Sequence, residues 1–392
     1  MEKVRYGIIG MGNQGNSYAL AFKNEKITNG VLVAVCDFNE DRLNLAKENF
    51  PNLKYFSNYE EMLDSNLCDA VIVVTPHYDH PKLVIECLKR DINVICDKPA
   101  GVYTKQVREM NEFAKNSKAR FAMMFNQRTN CVYRKMREMV KEGSIGEIQR
   151  VNWVITNWFR PQAYYNSGGW RATWAGEGGG VLINQCPHQI DLVQWVVGKM
   201  PKTVRGFCGY GRWHDIEVED EVTAFFEYEN GATGVFVTTT GEAPGTNRFE
   251  ISGTKGKLRC EDDKLFWYKN EVDSIEFCKT STSNFGKPKL EIIEVETDGK
   301  NPQHLGILEN FTNAILGLEE QFVQGVEGIN GVELMNAIEL SGWKDGEKIT
   351  LPVNEEEYLT ELNKRRATSK LKVVTNTKVE DMSDTFGSKI KI

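Results

Sequence analysis

The chain has 392 residues, 41% of them apolar, and carries a net charge of -7 at neutral pH. That length exceeds the usual size of one hydrophobic core and predicts two domains, while the acidic balance, with no basic run, excludes nucleic acid or an anionic membrane surface as the main partner. A small, neutral ligand fits better. No apolar run approaches the roughly 18 residues of a membrane span, and Met1-Glu2-Lys3 leads directly into a strand pattern rather than a signal peptide, so a cytoplasmic location is expected. The nine cysteines are an odd number without CxxC pairs, which predicts reduced thiols rather than a disulfide framework or a zinc site.

A short strand, 4–9, runs into Gly10-Met11-Gly12-Asn13-Gln14-Gly15 and then into a helical pattern through Tyr18, Ala19, Ala21 and Phe22. Gly10 permits the tight turn, Gly12 lets a pyrophosphate approach the backbone, and Gly15 lets helix and strand pack closely. The phosphates would meet the positive N-terminus of the helix. The next strand, 31–36, ends at Asp37, 22 residues after Gly15, placed to accept hydrogen bonds from the adenosine ribose hydroxyls. Its charge would repel a 2'-phosphate, so NAD is expected over NADP.

Helices near 41–49 and 59–63 precede a buried strand at 70–74, which closes in Thr75-Pro76-His77-Tyr78-Asp79-His80-Pro81 before a helix at 83–88. A strand at 93–96 ends in Asp97-Lys98-Pro99, and a final strand at 120–125 ends at Asn126-Gln127-Arg128. Polar residues clustered at the carboxyl ends of strands are what a doubly wound parallel sheet predicts for its ligand crevice. Thr75, Pro76, His77 and His80 are therefore assigned to a loop near the cofactor. The two histidines lack a third ligand, and no metal is expected.

From residue 146 the pattern changes to strands at 147–157, 203–213, 222–228, 233–240 and 247–253, with a hairpin signal at Glu229-Asn230-Gly231-Ala232. A large, open, mostly antiparallel sheet follows. Before it develops, residues 158–174 hold six aromatics among Arg, Asn and Gly. Sugars present C–H faces that stack on rings and hydroxyls that need polar partners, so this segment is expected to line a carbohydrate pocket, with Arg160 and Tyr164 touching substrate. The stretch Gly176-Glu177-Gly178-Gly179-Gly180 then leads towards a buried helix, and Asn184, His188 and Asp191 are spaced to share one face of it. His188 reads as a catalytic base or as a satisfied core histidine. Cys186 beside it reads as a buried filler. Helical patterns at 304–316 and 332–343 are expected to pack back toward the first domain.

These motifs, in this order, resemble the glucose-fructose oxidoreductase, inositol dehydrogenase and rhizopine-catabolism family, Gfo/Idh/MocA, over roughly residues 3–355. The likeness rests on Gly10 to Gly15, Thr75 to His80, Asp97-Lys98-Pro99, and Gly178 to Asp191. The chain departs from the family pattern at Asp97 (for Glu), Asn184 (for Asp) and Cys186 (for Gly). The resemblance implies an N-terminal Rossmann domain (1–127), a C-terminal α+β domain for substrate binding and oligomerisation (128–364), and a tail (365–392). It also implies a homo-oligomer, a dimer or tetramer, built on one face of the second sheet. Trp170, Arg171, Asn126 and His304 are implied to face the cofactor beside Asp97.

The implied reaction is oxidation of a secondary alcohol, with His188 taking the hydroxyl proton and Lys98 stabilising the developing alkoxide. Asn184, which cannot take a proton, is assigned with Gln185 to substrate orientation. The Asn-Gln-Cys-Pro-His variant resembles the glycoside-oxidising branch, which implies attack at C3 of a sugar or glycoside. Three alternatives remain at this stage: a redox-neutral lyase or glycosidase passing through a 3-keto intermediate, an inositol dehydrogenase, and a noncatalytic NAD-binding regulator. Residues 365–392 are polar, and a frayed tail or a strand lent to a neighbour are both expectations.

Overall fold

A computed structural model describes residues 3–372. The first sheet contains β1 (Val4–Ile9), β2 (Gly30–Cys36), β3 (Lys54–Phe56), β4 (Ala70–Val73), β5 (Asn93–Cys96) and β6 (Phe121–Met123), all parallel in the order β3-β2-β1-β4-β5-β6. Helices lie between successive strands, so the central strands are buried on both faces and are written as uninterrupted apolar runs, as in Ala70–Val73. The strand order reverses between β1 and β4, and the chain leaves the carboxyl ends of both strands to open a crevice there.

The second sheet adds β7 (Ile148–Ile155), β8 (Thr203–Tyr210), β9 (Glu219–Glu227), β10 (Thr233–Thr239), β11 (Asn247–Gly253), β12 (Gly256–Glu261), β13 (Lys264–Asn270), β14 (Leu290–Glu294) and β15 (Ile349–Thr350). Its order is β14-β13-β12-β11-β7-β10-β9-β8-β15, antiparallel except for the parallel pair β7–β10. Alternate residues face the core: Val151, Trp153 and Ile155 of β7 are buried, and Trp153 stacks on Phe249 at 4.2 Å between centroids. The β9–β10 hairpin turns at Gly231, in the left-handed region at φ 81°.

Helix Gly328–Trp343 packs on β8 and also reaches the first half of the chain, where Asn336 accepts from Thr104 N–H (3.0 Å) and donates to Val102 O (2.9 Å). Helix Gln303–Ile315 likewise leans on the first sheet, with a hydroxyl pair between Thr312 and Tyr6 at 2.8 Å. The last helix among the described residues runs Glu355–Thr368, so the tail expected from residue 365 begins inside it. Asn354 caps its start through Glu357 N–H, Glu355 to Glu357 fill the first turn, and Arg365 and Arg366 the last, each sign matching the helix dipole. Beyond it Ser369 Oγ accepts from Ala175 N–H (3.0 Å) and Lys372 N–H donates to Gly169 O (3.0 Å), which lays this segment on the aromatic loop. Most of the stretch offered as a lent strand lies outside the described residues.

Candidate active site

The glycine turn after β1 is shaped by close approach. Gly10 has φ 104° and a Cβ there would sit 2.4 Å from Val74 O, while a Cβ on Gly15 would fall 1.9 Å from Gly10 O. Around Gly12, by contrast, a Cβ would meet nothing within 4 Å, leaving open space beside the first turn of helix Asn13–Lys23, which begins Asn13-Gln14. That space, at the positive N-terminal end of the helix dipole, fits a pyrophosphate. Asp37 closes one side: its carboxylate accepts Met11 N–H at 2.8 Å and Asn39 N–H at 2.9 Å, and Arg42 approaches to 3.5 Å. The glycine turn and the acid therefore fit the adenosine end of a dinucleotide.

At the other side of the switch point, the His80 ring lies between Thr75 O (2.8 Å) and Pro99 O (2.7 Å), wedged between the loops after β4 and β5 and able as a neutral ring to donate to one of the two. This occupies the ring, leaving His80 as scaffold; Thr75 and Pro76 border the crevice ahead of it. His77 Nδ1 meets Glu177 O at 3.2 Å and its ring lies edge-on to Trp170, 5.6 Å away. Asp97 accepts from Tyr18 O–H (2.9 Å) and from Lys98 N–H (2.7 Å), which fixes the backbone that carries Lys98. Asn126 Nδ2 donates to Gln303 Oε1 at 2.7 Å and lies 3.4 Å from His304 Nδ1.

Lys98 crosses the crevice and its Nζ donates to the backbone oxygen of Asn184 at 2.7 Å. Burial pushes its amine below the ordinary lysine range, Asp97 and Glu177 oppose that, and Arg171 adds to it. His188 is buried, its Nδ1 has no hydrogen-bond partner, and burial with the nearby Lys98 and His304 holds it well below the usual histidine range. The two groups are close enough for the ammonium to act on the ring, which burial keeps neutral at physiological pH.

The shared helical face expected for Asn184, His188 and Asp191 does not form. Pro187 occupies the first position of the helix Pro187–Val197, which begins only there, and residues 181–186 before it fold as turns and a bend. Asn184 lies in those turns and its Nδ2 donates to Glu177 Oε1. Asp191 points elsewhere, to a two-bond pair with Arg128 (2.6 and 2.7 Å), buried on both sides. Cys186 Sγ lies 2.9 Å from Thr238 Oγ1, and burial pushes its thiol up to about 12, so it is unreactive filler.

The aromatic segment divides. Trp158, Tyr165 and Trp174 are buried in the core, Tyr165 through Thr240 and Trp174 through Glu217 O, while Phe159 is exposed. A continuous aromatic pocket is therefore not built, because the sheet face beneath the loop took half its rings. What remains at the crevice is Tyr164 with its neighbours: Arg171 stacks between Tyr164 and Trp170 (4.6 and 4.8 Å) and donates to the Tyr164 hydroxyl at 2.8 Å. Gln185 Nε2 also donates to that hydroxyl (3.2 Å), leaving a buried Oε1 without a partner, and Arg160 lies 5.2 Å over the same ring.

Two carboxylates that sequence reasoning passed over shape the site. Glu219, at the start of β9, accepts from Gly180 N–H (2.8 and 2.9 Å) and Leu182 N–H (3.1 Å), and a Cβ on Gly180 would strike Glu219 O at 2.0 Å. Its burial pushes it up to about 7. Glu177 is the other, and the only signal for it was its place directly before the glycine run. Among the described residues no cluster of three or more His, Cys, Asp or Glu could hold a metal, and no helix is long and apolar enough to cross a membrane.

Residues 4–125 match the oxidoreductase family described as "NAD-binding Rossmann fold", and residues 133–259 match the "GFO/IDH/MocA C-terminal domain". The chain belongs to the Gfo/Idh/MocA family. It is 26% identical over 261 residues to the myo-inositol 2-dehydrogenase of Thermotoga maritima, covering 65% of this chain and 74% of the relative. It is 25% identical over 292 residues to the levoglucosan dehydrogenase of Pseudarthrobacter phenanthrenivorans, covering 66% and 73%. Among solved structures, the WlbA dehydrogenase from Chromobacterium violaceum, in complex with NADH and UDP-GlcNAcA, superposes with a TM-score of 0.76 at 26% identity over 90% of this chain and 97% of that one. As a Gfo/Idh/MocA protein, the chain is an NAD(P)-dependent oxidoreductase related to enzymes of sugars and diols.

Proposed function

We propose that this Gfo/Idh/MocA protein is an NAD-dependent dehydrogenase that oxidises a ring secondary hydroxyl of a sugar or glycoside, at C3, to the keto-sugar. The observation that carries the reading is the neighbourhood of a held amine and a buried, neutral ring: Lys98 Nζ is fixed on Asn184 O, and its charge acts on His188. Names of relatives, myo-inositol 2-dehydrogenase and levoglucosan dehydrogenase, support a polyol or sugar substrate. Asp37, with its carboxylate at the glycine turn, supports NAD over NADP.

When bound, NAD accepts the carbinol hydride at its nicotinamide ring. Gly10 to Gly15 would hold the pyrophosphate, Asp37 the ribose, and Trp170, Arg171 and Asn126 the nicotinamide side. His188 accepts the hydroxyl proton on a ring nitrogen. That proton alone would be unfavourable so near Lys98, but the alkoxide forming between the two groups supplies a negative charge that offsets it. Lys98 N–H then stabilises the alkoxide and, in reverse, polarises the carbonyl. Tyr164, Arg160, Gln185 and Asn184 offer the polar edge on which ring hydroxyls are oriented.

The test is purified protein with NAD and a panel of glucosides, free sugars and inositols, followed by NADH absorbance and by keto-sugar detection. A 3-keto product with stoichiometric NADH is expected. Failure to reduce NAD with any of them, together with failure to exchange label between keto-sugars and NADH, defeats the reading. Aglycone release without net NADH would instead identify a redox-neutral cycle.

A further inference from the structure

Glu177 is 1% exposed, and its two oxygens accept from two separate donors. One oxygen takes Ala172 N–H at 2.5 Å, and the other takes Asn184 Nδ2. Ala172 is held in the left-handed region, φ 53°, directly after Trp170 and Arg171. A non-glycine residue there persists only where its surroundings impose it. Asn184 in turn offers its backbone oxygen to Lys98 Nζ at 2.7 Å. A chain of contacts thus runs from the aromatic loop through Glu177 and Asn184 to the amine of the site. Glu177 forms no ion pair within 4.0 Å among the described residues: burial pushes its carboxyl above the ordinary range, and Arg171, its two hydrogen bonds and Lys98 offset only part of that. Such a group is costly, and a glutamine could not replace it: both of its partners donate, and an amide has one oxygen.

We propose that Glu177 is a positioning residue for the oxidation: through Asn184 it fixes the carbonyl that holds Lys98, and its charge keeps that amine an ammonium while the alkoxide forms. The proposal rests on the dehydrogenase reading above. The groups facing Lys98 are Asp97 and Glu177, both acidic, Arg171, the Cys186 thiol, and the rings of His77, His188 and His304. Glu177 and Asp97 are the carboxylates that oppose its deprotonation, and Glu177 alone also reaches Asn184.

The hydrogen-bond polarity supplies the experiment. Glu177→Gln leaves an amide nitrogen facing a donor, and Asn184→Asp sets a second carboxylate against the first. The double variant reverses both partners, so that the new amide nitrogen at 177 donates to the new carboxylate at 184 while the amide oxygen still accepts Ala172 N–H. Trace acetylation of Lys98 across pH, read by peptide mass spectrometry, follows its titration without substrate or turnover. Glu177→Gln is expected to move that titration to lower pH and to reduce kcat about 10- to 100-fold, the range for losing a charged hydrogen bond. The double variant is expected to return the Lys98 titration and most of kcat. An unmoved titration in Glu177→Gln, or a double variant no better than the worse single one, overturns the proposal. Should Glu177→Gln fail to fold, Glu177→Asp decides: the shorter side chain keeps the charge but draws back from Asn184, so kcat is expected to fall, and an unchanged kcat overturns the proposal. A wild-type protein that oxidises no sugar defeats the dehydrogenase reading instead, and leaves the titration to judge Glu177.

Discussion

Replacing Asp37 by serine should exchange the preferred cofactor, and the structure gives the size of the effect. The carboxylate sits at the end of β2, 2.8 Å from Met11 N–H, with Arg42 3.5 Å away. A ribose hydroxyl donating to it would make a hydrogen bond to a charged group, about 1.5–3 kcal/mol, so its loss should weaken NADH by about 10- to 150-fold. The same change removes the charge that repels a 2'-phosphate and releases Arg42, whose guanidinium can then pair with that phosphate. NADPH should therefore bind more tightly to Asp37→Ser than to wild type. Losing the Met11 contact loosens the glycine turn for both cofactors equally, so the ratio of the two dissociation constants, from fluorescence titration, isolates the specificity effect. Asp37→Ser with Arg42→Ala should lose the NADPH gain while keeping the NADH loss. A ratio unchanged between wild type and Asp37→Ser would refute the placement of the ribose at this carboxylate.

His188→Ala should lower kcat about 10²- to 10⁴-fold, the usual contribution of a proton acceptor, with NADH affinity within about twofold in a direct titration. Gly15→Ala should cost at least about 1–3 kcal/mol in chemical denaturation and abolish NADH binding, because the added carbon lies 1.9 Å from the oxygen of Gly10. His304 is buried and lowered to about 4, so between pH 6.5 and 4 the unfolded chain binds a proton that the folded chain refuses, and stability is lost as pH falls. Relative to wild type, His304→Gln should therefore gain about 3 kcal/mol in unfolding free energy between pH 7.5 and 4, and a constant difference across that range would contradict the burial argument. Glu219 runs the other way: raised to about 7, it is protonated in the folded protein through a window where the unfolded chain is ionised, so Glu219→Gln should flatten a loss of stability on going from pH 4.5 to 7.

The first sheet was legible because its central strand β4 is covered on both faces and written as an apolar run, and because the glycine turn has one steric solution, seen in the contacts of Gly10 and Gly15. The β12–β13 hairpin was not read, since its turn is Asp262-Asp263, both at positive φ (52° and 58°), rather than the asparagine-glycine pair that marks such turns. At the site, Lys98 and His188 could be found from local pattern, whereas their surroundings were decided by tertiary competition. Asp191, three residues from His188, went to Arg128, and the rings of Trp158, Tyr165 and Trp174 went to the core. Glu177 shows the same rule from the opposite side. A glutamate before a glycine run has the local look of a solvated loop, and nothing near it in sequence says that Ala172 and Asn184 will both turn donors toward it. Only closing the loop makes the carboxylate buried, and only burial gives its charge leverage on Lys98. The absent aspartate at 184 and the acid at 177 are thus one feature read from two places: the amide at 184 fits the structure because the carboxylate that pairs with it arrives seven residues earlier in the chain.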